Sequence, residues 1–171
     1  ISSVLLGERE GAESALSSLN QCLKQGGPRW IIQATCFMKA DVLWLLGRRK
    51  EAKLAGRAGL DLAQEPLASG ITGFFCRWSA LTAKKTDSAM SRLNCLEQIY
   101  SRREGLDAID RVEVACSLMV LQNRFGQSDP SVAIEMRKDL AQLPPACAKQ
   151  LTLLGVLVPD RRPQSLPKTS L

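Results

Sequence analysis

At 171 residues with 45% hydrophobic content, the chain is long enough to bury a sizeable core as one domain. It contains no histidine, which excludes Ser-His-Asp and Cys-His nucleophilic sites, His-Glu-x-x-His metalloproteases and Cys/His zinc fingers. A net charge of +6 admits an anionic partner, but the 23 basic and 17 acidic residues are spread along the chain as on an ordinary solvated surface.

Few of the apolar residues are β-branched and many are Leu or Ala, which favours helix over sheet. No apolar run approaches the roughly 20 residues needed to span a bilayer. The first residue is Ile1, so the chain reads as a piece or a processed product. Cys22, Cys36, Cys76, Cys95, Cys116 and Cys147 are never closer than 14 positions, too far apart for a Cys-x-x-Cys metal or redox pair. Each lies in an apolar helical segment, which predicts free, buried thiols and an intracellular, reducing compartment, cytoplasm or nucleus.

Ala12, Ala15, Leu16, Leu19, Cys22 and Leu23 recur at offsets of three and four and predict a first helix over 8–25. Gly26-Gly27-Pro28 ends it and starts the next, with Pro placed in the first helical turn. Residues 29–46 are apolar almost all round, the pattern of a helix sandwiched between neighbours. Gly47 ends that helix, and Arg48, Arg49 and Lys50 connect it to a third over 50–64.

After Pro66, residues 67–82 predict a fourth helix whose start is weakened by Gly70 and Gly73. Lys84 to Asp87 reads as a turn with Thr86 or Asp87 as cap, opening a fifth helix over 87–102. Gly105 separates it from a sixth over 106–124, and Asp129-Pro130 opens a seventh over 130–142. Pro144-Pro145 introduces a last helix over 145–157, and the Pro-rich stretch 159–171 reads as a mobile tail outside a domain of residues 1–158.

Aligning the turns puts the small residues Ala12, Ala52, Ala89 and Ala133 at the openings of second helices, 40, 37 and 44 positions apart. A period of this size in an all-helical chain predicts stacked helical hairpins, because one hairpin cannot bury its own apolar face. The segment Ala40-x-x-Leu43-x-x-x-Gly47-x-x-x-Glu51-Ala52, continued by Gly59, resembles the tetratricopeptide-repeat superfamily. Ala40, Ala52 and Gly59 stand where that pattern brings two helices close, Leu43 fills the gap and Gly47 makes the turn. Gly56 departs from it, standing where the family carries a bulky aromatic.

The resemblance implies an all-α, right-handed solenoid of about four antiparallel helix pairs. Its long hairpins are similar to those of large bacterial ATPase regulators and of eukaryotic chromosome-cohesion and cell-cycle scaffolds. It further implies a non-catalytic scaffold whose groove binds a partner segment or another region of the parent protein.

Arg48, Arg49, Lys50, Lys53 and Arg57, with Lys84 and Lys85 at the next equivalent turn, form a candidate stripe for an acidic partner. The plainer reading is that of solvated helix connections. Direct nucleic-acid binding is disfavoured because few aromatics interleave with these charges. Trp30, Phe37, Trp44, Phe74, Phe75 and Trp78 have the spacing of core residues, and Trp30, beside the Gly-Gly-Pro turn, is the candidate to protrude.

Asp41, Asp61, Asp107 and Asp110 show no paired arrangement for acid-base work, and no glycine-rich phosphate loop occurs. Asp41 is the one acid in its apolar helix, and a helix hydrogen bond or a salt bridge to a neighbouring repeat explains it as well as function does. No catalytic residue, metal ligand or cofactor is expected, nor a membrane partner. The competing expectations are an effector-sensing helical domain of a larger transcriptional or ATPase regulator, and a fragment of an enzyme whose catalytic residues lie elsewhere.

Overall fold

The computed structural model describes residues 9–63, 70–83 and 87–153, with the backbone alone at Asp87, Ser88, Gln150, Thr152 and Leu153. The protein is all-α. Among the described residues there are eight α-helices and no strand: α1 Arg9–Gln25, α2 Arg29–Leu45, α3 Arg49–Asp61, α4 Thr72–Thr82, α5 Asp87–Ser101, α6 Ala108–Phe125, α7 Pro130–Ala141 and α8 Pro145–Leu153. A short 3-10 turn, Arg103–Gly105, joins α5 to α6.

The helix ends follow local chemistry. The Asp129 carboxylate accepts the Ser131 N–H at 2.8 Å with Pro130 in the first turn of α7, as the sequence predicts. Asp107 caps α6 in the same way through the Asp110 N–H at 2.8 Å, which sets that start two residues later than periodicity suggests. Pro28 stands just before α2 instead of inside it, and its carbonyl accepts the Ile31 and Ile32 N–H groups. Helix α4 is shorter than expected and opens at Thr72. Gly7, Pro66, residues 67–69, Lys84, Lys85, Thr86 and the 159–171 tail lie outside the described residues.

Gly47 takes φ 78, the left-handed conformation that reverses the chain between α2 and α3 without a Cβ penalty. The two helices then pack along their length, with Ala40 and Ala52 fully buried and Leu43 between them. The contact is close because α3 offers small residues. A Cβ on Gly59 would sit 2.6 Å from the Phe37 ring, and one on Gly56 2.6 Å from Cδ2 of Trp78. The volume that an aromatic at position 56 would occupy is thus filled by an indole from α4, 22 residues further along the chain.

The helices contact in the order α1 on α2, α2 on α3, α3 on α4, α4 on α6, with α5 and α7 both packed on α6. Helix α4 belongs to two apolar clusters. Trp78 faces Phe37, Leu43 and Ala52, whereas Cys76 and Ala80 face Leu93, Leu96, Val114 and Leu118. A third cluster joins Val112 and Cys116 of α6 to Leu151 of α8, with Leu45 of α2 packed against it.

Of the small residues aligned at the second-helix openings, Ala12, Ala52 and Ala89 are buried, but in the fourth unit the buried position is Val132, not Ala133. The tighter period lies in the other helices. Ala40, Cys76 and Val112, spaced by 36, are each fully buried in α2, α4 and α6.

None of the six cysteines is joined in a disulfide; Cys36, Cys76 and Cys116 are buried, whereas Cys22, Cys95 and Cys147 are only half-buried, short of full burial. Burial pushes the Cys116 thiol up to about 12 and that of Cys76 well above the usual thiol range, so neither supplies a thiolate at neutral pH.

Gly56→Ala should destabilise the fold by about 1–3 kcal/mol, because the added methyl meets a fully buried ring. Chemical denaturation of this variant beside Ala58→Gly, a change on the exposed side of α3, checks it. Helix propensity alone would make Gly56→Ala stabilising and Ala58→Gly destabilising by about 1 kcal/mol each, so a gain in Gly56→Ala would show that the Trp78 contact does not set the effect.

Candidate functional site

The three helices that carry the 36-residue period also carry charge in their interiors. Arg77 of α4 donates through Nη2 to Asp41 of α2 and through Nη1 to Glu113 of α6, and each partner lies 36 residues away. The guanidinium is 3% exposed, and Asp41 and Glu113 are buried with it. Asp41 also accepts the Trp78 indole N–H at 3.0 Å, and Asp110 accepts the Gly73 N–H at 3.0 Å. A Cβ on Gly73 would lie 2.6 Å from the Asp110 carboxylate, so only glycine lets α4 come this close to α6. Arg77 lies over the Phe74 ring at 5.0 Å, and Phe74 stacks on Phe37 at 6.3 Å.

Of the alternatives the sequence leaves for Asp41, the structure shows a salt bridge, to Arg77 of another helix. Asp110 and Glu113 join it, a grouping the sequence reading did not make. Three carboxylates around one guanidinium leave excess negative charge in a dry interior. Burial, opposed by Arg77 and reinforced by Asp41 and Asp110, lifts Glu113 to about 7. Burial likewise raises Asp41, against Arg77 and Trp78, and Asp110, where Asp107 adds to the effect. Asp41, Arg77, Asp110 and Glu113 are each at most 9% exposed, so the cluster joins the three helices as a buried clamp.

The exposed candidates lie elsewhere. Arg48 is exposed but ion-paired: it donates to Glu51 at 2.7 and 2.6 Å and lies 3.9 Å from Glu13 of α1. Arg49 stacks over the Trp44 ring at 3.7 Å, a cation–π contact that leaves its charge at the surface. Lys50, Lys53 and Arg57 follow on the outer side of α3 and have no ion-pair partner among the described residues. Lys84 and Lys85 are outside the described residues, but the end of α4 just before them is basic. Arg92 donates to Ser79 O and Thr82 Oγ1, and Arg124 to Ala80 O and Ala83 O, so two cations hold the last carbonyls of that helix.

Trp30 is 58% exposed, the protrusion the sequence suggests. It does not join the basic turn. Trp30 opens α2 and Arg48 follows its end, about 27 Å away along the axis. Arg29, beside it, donates to Leu62 O at 2.9 Å and ties the start of α2 to the end of α3. Phe37 and Trp78 are fully buried, and Trp44, Phe74 and Phe75 pack against the core.

Sequence reasoning missed Arg77, Glu113, Arg92 and Arg124. The first two were within reach: charged residues at a spacing of 36 inside otherwise apolar helices mark one buried layer repeated through a stack. Among the described residues no group of three or more His, Cys, Asp or Glu could hold a metal ion, and no helix is long and apolar enough to cross a membrane. The chain matches no protein-family model, no curated protein and no solved structure.

The buried cluster makes stability depend on pH. Glu113 binds its proton more tightly folded than unfolded, so its contribution is complete below pH 4.5 and lost as the pH rises to about 7. Asp41 and Asp110, also raised, act in the same direction. Unfolding free energy should therefore fall across this window by up to about 3 kcal/mol. Glu113→Gln, which keeps an acceptor for Arg77 and cannot titrate, should flatten the profile, and a profile identical to wild type would contradict the assignment.

Proposed function

We propose that this chain is a stack of helical hairpins of the tetratricopeptide-like kind and that it serves as a non-catalytic scaffold binding another protein, or another region of its parent protein. The observation that carries the reading is the repeated inner layer. Asp41, Arg77 and Glu113 at one register and Ala40, Cys76 and Val112 at the adjacent one support reading α2, α4 and α6 as equivalent first helices, with α3 and α7 packed on α2 and α6 as second helices and α5, which packs mainly on α6, as that of α4. The period of 36 lies nearer the 34 of the tetratricopeptide repeat than the spacing of the turns does.

The chemistry points the same way. Asp41 and Glu113 are buried and ion-paired to Arg77, the most deeply buried thiols are protonated, and the exposed outer side of α3 carries Lys50 and Lys53, which are suited to contact. A function in which the inner face of the stack forms an open groove fits less well. Its middle is filled by the Asp41–Arg77–Glu113 chain, and Leu151 of α8 covers Val112 and Cys116 beside it.

The test uses the purified chain as bait, followed by reconstitution with each captured protein made separately. A saturable complex with defined stoichiometry is the expected result. If no protein forms such a complex and a small molecule instead raises the melting temperature in a saturable way, the scaffold reading is replaced by that of an effector-sensing domain.

A further inference from the structure

We infer that the outer face of α3 docks an acidic protein segment that places an apolar side chain on Leu54, flanked by Lys50, Lys53 and Arg57. The inference rests on the scaffold reading above and assigns that reading its surface and the chemistry of its partner.

Helix α3 is built as a platform. Its inward face is Ala52, Gly56 and Gly59, and the two glycines lie flush against the Trp78 and Phe37 rings, so the backbone is locked to α2 and α4. Its outward face repeats at helical spacing. Lys50, Lys53, Leu54 and Arg57 follow one another at offsets of three and four, a run about 10 Å long. Leu54 is 65% exposed, the most exposed large hydrophobic side chain described.

Among the described residues the charge on this face is mostly positive. Of the two acids on α3, Glu51 is held by Arg48 and Asp61 lies at the far end of the helix, one turn beyond Arg57, so neither is ion-paired with Lys50 or Lys53. The positive strip continues onto α5: Arg92 is half-buried and donates to Ser79 O and Thr82 Oγ1, and burial, then the Arg57 charge, disfavour its own charge against the opposing pull of Asp61. One apolar residue ringed by unpaired cations complements a segment carrying Asp or Glu around an apolar side chain. A single strand would find no uncovered aromatic on this face among the described residues, because the half-buried Trp44 ring is capped by Arg49 and Trp30 lies at the other end of α2. A bilayer would gain little from a single leucine.

The probe is a fluorescein-labelled Glu- and Leu-rich helical peptide, titrated against the full chain by anisotropy, with its charge-reversed Lys- and Leu-rich version as control. The acidic peptide should bind with an affinity that falls with salt. The triple substitution Lys50→Glu, Lys53→Glu and Arg57→Glu should weaken it at least about tenfold, and Leu54→Ala about fivefold to tenfold. Ile134→Ala, at an exposed hydrophobe on α7, should leave binding unchanged.

Circular dichroism melting confirms that the variants are folded, which their exposed positions lead us to expect. The inference is overturned if the acidic peptide fails to bind, if it binds wild type and variants alike, or if anionic vesicles or duplex DNA compete it off with higher affinity through the same side chains. Proteins reconstituted with the wild-type chain separate the two readings. Complexes that survive both α3 variants leave the scaffold role standing and remove α3 as its surface.

Discussion

A single guanidinium, that of Arg77, reaches from the middle of the protein to carboxylates on the helices before and after it. The constraint this sets is geometric before it is energetic. Arg77 can meet Asp41 and Glu113 together only when α2, α4 and α6 stand at one height, so each residue fixes the register of two neighbours. A slip of one helical turn, about 5.4 Å, would break both ion pairs and strand charges in an apolar interior. The surrounding shapes agree with that register. Gly73 admits the Asp110 carboxylate, Trp78 both fills the space beside Gly56 and donates to Asp41, and Phe74 lies between Phe37 and the guanidinium.

Such a cluster is a weak source of net stability, because the desolvation of four ionisable groups offsets much of their attraction. Its effect is on which arrangement is allowed. Apolar surfaces of Leu, Ala and Val slide past one another at small cost, whereas a buried ion pair tolerates one register. Placing the polar layer inside also leaves the second helices as the surface. Helix α3 in particular turns glycine and alanine inward and Lys50, Lys53, Leu54 and Arg57 outward, so the tightness of the inner packing and the openness of the outer face share one sequence pattern.

The helices were legible where their ends carry local chemistry. Gly47 and Asp129-Pro130 mark their turns by backbone preference and capping, which need no knowledge of the rest of the fold. Position 56 shows the opposite case. A glycine where a bulky side chain is expected becomes intelligible only once Trp78, from a later helix, is seen to fill the space. Asp41 was legible as an acid that needs a partner, yet the partner stands 36 residues away and is set by stacking. Arg48 reads as one more exposed cation until α1 brings Glu13 to it. The surface candidates Lys50, Lys53 and Arg57 could be named from the sequence because helical spacing alone separates them from Ala52, Gly56 and Gly59, but that Leu54 lies among them as an exposed side chain depends on the tertiary packing.

The account stands or falls on Arg77 acting as one unit with its two partners, and the direct measurement is a mutant cycle on unfolding free energy. Arg77→Met alone should cost about 3–5 kcal/mol, because it leaves two buried carboxylates without their counter-charge. Adding Asp41→Asn and Glu113→Gln should recover most of that loss, since those charges are gone and Trp78 and the helix backbones keep their acceptors and packing. If the three substitutions instead add independently, to within about 0.5 kcal/mol, the residues are not coupled and the shared register is set by something other than Arg77.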